Sequence, residues 1–170
     1  MRLVRLHVEN FRTLEDVTVE FPSYYTAISG RNDSGKTNIL RAMRTLLPPP
    51  PRYAYAPNRE EVNLKEDYPK WKGDPKTATI LIALTLIVTA AQDEGVHHFV
   101  TDYLKISPAP DELTILLSAR YSDAPVKRHV TIEVNGTAFP ERQAEELLSK
   151  LRSSSSLLVY NSTSPFEEYG

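Results

Sequence analysis

The chain has 170 residues, 20 basic and 22 acidic side chains, a net charge of −2, no cysteine and 41% hydrophobic residues. That length suits one domain able to bury a sizeable core, and the lack of cysteine excludes a disulfide scaffold, a cysteine-ligated metal site and a thiol nucleophile. Near-neutral charge excludes a uniformly basic nucleic-acid coat, so any DNA contact needs a local patch.

In chain order, Val4, Leu6 and Val8 alternate with Arg5, His7 and Glu9, and Val17, Val19 and Phe21 alternate with Asp16, Thr18 and Glu20. Both stretches predict strands with one buried face. The charges in the first stretch also interrupt any apolar signal segment. Residues 24–29 predict a third short strand ending at Gly30, and 36–47 a helix with Ile39, Leu40, Met43, Leu46 and Leu47 on its apolar side. Residues 48–76 form a proline-rich insertion, with seven of the thirteen prolines between 48 and 75. Proline fixes φ and donates no hydrogen bond, so this stretch predicts a surface excursion. Trp71, between Lys70 and Lys72, is expected to pin that excursion to the domain rather than to stack on a base.

Beyond the insertion, residues 78–89 are apolar on both parities and predict a strand buried on both faces. The apolar run 78–91 is shorter than the roughly 20 residues of a bilayer crossing, and a soluble, cytoplasmic protein is expected. Residues 113–121 and 126–134 predict a hairpin, followed by a turn at Asn135-Gly136. Ala144, Leu147, Leu148 and Leu151 predict a short amphipathic helix opening near Pro140. The serines at 153–156 predict a linker to a last strand at 157–160. His97-His98 lacks a third metal ligand at useful spacing and predicts a solvated or helix-end pair. His7 and His129 fall at polar strand positions.

The chemistry concentrates in Gly30-Arg31-Asn32-Asp33-Ser34-Gly35-Lys36-Thr37, which satisfies G-x-x-x-x-G-K-[ST] between a predicted strand and a predicted helix. The two glycines let the backbone turn so that successive N–H groups face one concavity, suited to phosphate oxygens. Lys36 supplies positive charge for the β- and γ-phosphates, Thr37 a hydroxyl for Mg²⁺, and the helix its positive N-terminus. Asn38 follows directly. A mononucleotide with at least two phosphates is the expected ligand, and the loop by itself leaves ATP and GTP open.

The opening Leu3-Val4-Arg5-Leu6-His7-Val8-Glu9-Asn10-Phe11-Arg12-Thr13-Leu14, the strand 17–21 and the segment from Ile28 to Leu40 together resemble the N-terminus of ABC-type ATPases of the SMC, RecF and OLD (overcoming lysogenization defect) group. The wording Asp33-Ser34-Gly35-Lys36-Thr37-Asn38 is most similar to OLD-type bacterial AAA ATPases, many of which serve in phage defence. The resemblance implies an α/β P-loop fold, an ABC-type N-terminal lobe with a mixed, partly antiparallel sheet. It further implies ATP rather than GTP, Mg²⁺, a homodimer or larger assembly, work on DNA in repair or phage defence, and a nuclease domain or partner. It also implies that Asn32 lies near the γ-phosphate and Arg12 near the nucleotide at the loop's edge. Its detail covers residues 1–47; 77–170 agree only in pattern, and 48–76 has no counterpart.

Hydrolysis in such a site needs a Walker B strand ending in two carboxylates that hold Mg²⁺ and polarise water. Asp93-Glu94 is set off from its strand by Gln92, Asp111-Glu112 precedes one, and Glu167-Glu168 follows Pro165-Phe166. No pair fits, and no catalytic residue is identifiable. The signature that caps the γ-phosphate from a facing subunit is not found either, and Asn161 or Ser162 marks where the lobe-connecting glutamine would be sought. The expectation is therefore an ATP-binding lobe whose hydrolysis needs a further segment. The alternative is a non-hydrolysing nucleotide-sensing or assembly module. A small nucleotide kinase fits less well, because Arg120, Lys127 and Arg128 make a poor lid.

Overall fold

A computed structural model of the chain describes residues 1–22, 35–47, 62–73, 78–122 and 128–154. Among the described residues six strands form one sheet in the order β2-β1-β3-β4-β5-β6: β1 Arg2–Phe11, β2 Leu14–Glu20, β3 Thr79–Thr89, β4 Glu112–Ser122, β5 Arg128–Val134 and β6 Thr137–Phe139. Every described ladder is antiparallel. The helices are α1 Lys36–Leu46, α2 Leu64–Asp67, α3 Glu94–Tyr103 and α4 Glu141–Ser154, with a 3₁₀ turn at Lys70–Lys72. The α/β class stands, with its antiparallel part in view. The strands expected at 24–29 and 157–160 lie outside the described residues, as do Ser155, Ser156, Asn161, Ser162, Lys127 and Glu167-Glu168.

The two strands at the N-terminus form as their alternation predicts, joined by a tight turn that pairs Phe11 with Leu14. One detail departs from simple alternation. A register shift against β3 between Leu3 and Arg5 puts Leu3 on the same buried face as Leu6 and Val8, although its parity differs. The central strand β3 was expected to be buried on both faces. Instead Ile80, Ile82, Leu84, Leu86 and Val88 are fully buried, while Leu81, Thr85 and Ile87 on the other face are half-buried. A single helical layer explains this: Leu40, Met43, Leu46, Val100, Leu104, Leu147, Leu148 and Leu151 join the buried strand residues in one core cluster. Burial of this kind is worth roughly 1.5–3 kcal/mol per large side chain before entropy is counted.

Three expectations are corrected here. The segment after β3 is a helix, α3, and His97 lies buried within it, its Nε2 2.6 Å from the Pro110 carbonyl oxygen, whereas His98 is exposed. The helix α4 runs on through Ser153 and Ser154, which were expected in a linker. Trp71 is 63% exposed, rather than buried as an anchor against the domain. The described end of the insertion is held instead by Val62, Leu64 and Tyr68 packed on the core and by the polar contacts of Asp67 and Lys72.

Candidate functional site

The turn between β1 and β2 forms one wall of the candidate site. Asn10 and Arg12 both adopt left-handed backbone, at φ 59° and 55°, on either side of the buried Phe11. Asparagine tolerates this region, but for arginine it costs about 1 kcal/mol or more. The surroundings hold Arg12 in place. Its N–H donates to the Asp67 carbonyl at 2.5 Å and its Nε to Asp67 Oδ1 at 2.9 Å. Asp67 is itself buried and accepts from the Asn63 N–H through Oδ2 at 2.8 Å. Lys72 Nζ donates to Asn10 Oδ1 at 2.8 Å and pairs with Glu15 at 2.9 Å, and Asn10 Nδ2 donates to the Thr79 carbonyl at 3.1 Å. Residues 62–73 thus clasp the turn from one side.

The first residues of α1 meet the same turn from the other side. Gly35 caps the helix at φ 87°, and a Cβ there would stand 3.1 Å from Leu14 Cδ2 and 3.5 Å from Thr13 Oγ1. Asn38 Nδ2 donates to Thr13 Oγ1 at 2.8 Å. Lys36 and Thr37 occupy the first two positions of α1. The first turn of α1 carries no acidic residue, in contrast to α3 and α4, which open on Glu94 and Glu141. A helix N-terminus with its backbone donors and positive dipole end, joined by an ammonium and a hydroxyl, is a donor set suited to a polyphosphate and its cation. Gly30, Arg31, Asn32, Asp33 and Ser34 lie outside the described residues.

Arg12, expected at the nucleotide's edge, has its Nε on Asp67, with its guanidinium carbon 5.9 Å from the Phe11 ring centre. Asp67 is the residue that sequence reasoning missed. It sits 55 positions from Arg12, inside a proline-rich stretch where no local pattern announces a long-range acidic partner.

The acidic pairs fall far from this turn. Antiparallel pairing puts Leu81 beside Glu9 but Ile87 beside Arg2, so β3 ends at the Met1 end of the sheet. There Asp93 accepts the Thr89 N–H at 3.1 Å and pairs with the Met1 amine. Glu112 pairs in register with Thr89, at the same end. The ten residues of β1 separate that end from the α1 N-terminus, about 30 Å at ~3.3 Å per residue. Asp93-Glu94 and Asp111-Glu112 thus lie at the other end of the strands from Lys36 and Thr37.

Residues 1–158 match the AAA ATPase domain family. The chain belongs to that family. As an AAA ATPase domain it is also similar, at 30% identity over 89 residues, to the DNA replication and repair protein RecF of two Staphylococcus epidermidis strains, and at 29% to that of Geobacillus sp. (strain WCH70). Each match covers 52% of this chain and 24% of the relative, so the chain spans about a quarter of the length of these curated relatives. Among solved structures, the recombination mediator protein RecF-ATP in the RecFOR pathway is matched over 85% of this chain and 30% of that one, at 17% identity and a TM-score of 0.47. Among the described residues, no helix is long and apolar enough to cross a membrane.

Proposed function

We propose that this AAA ATPase domain binds ATP with Mg²⁺ along residues 30–38, in a cytoplasmic ATPase that acts on DNA, of OLD type within the SMC, RecF and OLD group and assembled as a homodimer or larger complex. The observation that carries the reading is the start of α1: Lys36 and Thr37 follow a left-handed glycine cap, in a first turn without a carboxylate. Lys36 would hold the β- and γ-phosphates, the Thr37 hydroxyl the Mg²⁺, and the backbone N–H groups after Gly30 the remaining phosphate oxygens. The bound ion would neutralise charge on the transferring phosphoryl group. Asn38, through Thr13, keeps the helix start against the β1–β2 turn, and Arg12 stands at its edge. The RecF proteins are named for DNA replication and repair, which supports the DNA part of the reading; phage defence rests on the OLD-like wording of residues 33–38.

A second reading, a nucleotide-sensing or assembly module that does not turn ATP over, draws support from the distance of Asp93-Glu94 and Asp111-Glu112 from Lys36. On the first reading the catalytic carboxylates come from a further segment, and hydrolysis depends on it.

Equilibrium titration of the 170-residue chain with Mg²⁺-ATP, alongside Lys36→Ala and Thr37→Ala, tests both. Binding lost in Lys36→Ala and stripped of its Mg²⁺ dependence in Thr37→Ala supports the site. Unchanged binding in Lys36→Ala overturns it. Lysine-dependent turnover by the isolated chain would show that its catalytic carboxylates have been overlooked.

A further inference from the structure

We infer that His7, Glu9 and Asp16 form a site for a divalent transition-metal ion of the zinc class, on the face of the sheet opposite α1. The ladder register assembles it. His7 and Glu9 are two residues apart on β1 and therefore point to the same face, while Asp16 stands directly across from Glu9 and Thr18 across from His7. Their neighbours on β1, Leu6 and Val8, point the other way into the core beneath the helices, so this ion is distinct from any cation at Thr37.

The spacing suits tetrahedral coordination. His7 Nε2 lies 3.5 Å from Glu9 Oε1 and 3.7 Å from Asp16 Oδ1, and the three ligand atoms all fall within 4.8 Å of one another. An ion with bonds of about 2.0–2.1 Å needs ligand atoms roughly 3.4 Å apart, so the imidazole edges need to close by only a few tenths of an ångström, while the two carboxylates, within 4.8 Å of each other, are drawn together by the ion through rotation of their exposed side chains. The other ring nitrogen is already occupied: Nδ1 is 2.9 Å from Thr18 Oγ1. With the proton on Nδ1 and donated to that hydroxyl, Nε2 presents its lone pair to the space between the carboxylates. An outer hydrogen bond of this kind is what fixes tautomer and ring orientation in metal-ligating histidines. The register also sets two like charges against each other, an arrangement that weakens a strand pair and that a dication between them would reverse.

The donor set selects the class of ion. One imidazole and two carboxylates suit zinc, manganese or ferrous iron, whereas magnesium and calcium favour oxygen alone, and a chain without cysteine offers no thiolate for softer ions. Three protein ligands leave a position open. A depression of about 490 Å³ on the same face, lined among others by His7, Thr18, Arg5 and Leu81, adjoins it and gives room for water or an exchangeable ligand.

The test is titration of the metal-free 170-residue chain with Zn²⁺, without nucleotide, by competition with a chromophoric chelator, together with Co²⁺ absorption. The expected result is one saturable ion per chain and a tetrahedral Co²⁺ spectrum. His7→Ala and Asp16→Asn should each weaken binding at least tenfold and abolish the spectrum, and Thr18→Val should weaken it about tenfold, as loss of an outer-shell partner does. His129→Ala, which removes an imidazole facing Glu141 at 3.2 Å, should leave binding unchanged. All four positions are partly or largely solvent-exposed, and far-UV circular dichroism confirms that the variants fold. Absence of saturable binding by the parent chain, or equal binding by His7→Ala and Asp16→Asn, overturns the site.

Discussion

Gly35 shows how much a single residue decides at the start of α1. Its φ of 87° costs an L side chain about 1–2 kcal/mol, and an added Cβ would press on Leu14 Cδ2 at 3.1 Å. Gly35→Ala should therefore lower unfolding stability by about 2 kcal/mol in a urea titration and weaken Mg²⁺-ATP binding by turning the first N–H groups of the helix. A stability change within about 0.5 kcal/mol, the range of ordinary surface substitutions, would show that the helix start relaxes freely. Arg12 and Asp67 make the complementary case. Asp67→Ala removes the acceptor of Arg12 Nε and of the Asn63 N–H, and because Arg12 keeps 31% of its side chain exposed, the expected loss is about 2 kcal/mol rather than the 3–5 kcal/mol of a wholly buried pair. Asp67→Asn, retaining an acceptor and the backbone contacts, should lose less. The start of α1 at Lys36 was legible because the pattern that announces it lies within eight consecutive residues. The Arg12–Asp67 contact was not, because nothing near either residue encodes a partner 55 positions away.

Among the elements, the strands were the most legible, since alternation of apolar and polar residues is a local property that survives tertiary packing. The helix α3 was also written in the sequence, with Val96, Phe99, Val100 and Tyr103 at helical spacing after Asp93. The adjacent histidines masked it by reading as polar, although one of them is buried. The three-residue β6 is too short for any periodicity. Contacts between helices carry no sequence signal of their own: Lys150 of α4 lies 5.2 Å from the ring centre of Phe99 in α3. Similarly, Arg152 of α4 donates from Nε to the Leu46 carbonyl at 2.8 Å, 106 positions away at the C-terminal end of α1. A cation there satisfies a carbonyl that the helix leaves unpaired and opposes the negative end of its dipole. Arg152→Ala should cost about 1–2 kcal/mol, read from the denaturation midpoint. Arg152→Lys should recover part of it, because an ammonium keeps the charge while losing the planar fork. Equal losses for both variants would assign the effect to guanidinium geometry alone.

At the scale of the whole molecule, the direction of β3 decides what the acidic residues can do. From the sequence alone, Asp93-Glu94 could be tried as a catalytic pair because it follows an apolar strand; strand direction, which composition does not record, sends that strand's end away from α1. The turn at Phe11 and the turn after Thr89 stand at opposite ends of the strands, about 30 Å apart at ~3.3 Å per residue of β1. Asp93 therefore serves the fold. It accepts the Thr89 N–H and pairs with the Met1 amine while only 15% exposed. Asp93→Asn should lower stability by about 2 kcal/mol, the scale of charge-assisted hydrogen bonds at a poorly solvated position, yet leave Mg²⁺-ATP affinity within twofold of the parent chain. The two readouts must separate: a catalytic carboxylate would leave folding nearly intact and change Mg²⁺ dependence or turnover, whereas a structural one shifts the unfolding midpoint alone. Loss of Mg²⁺-ATP affinity at a temperature where Asp93→Asn is still folded would mean that the two ends of the strands communicate, and the assignment of Asp93 to the fold would be wrong.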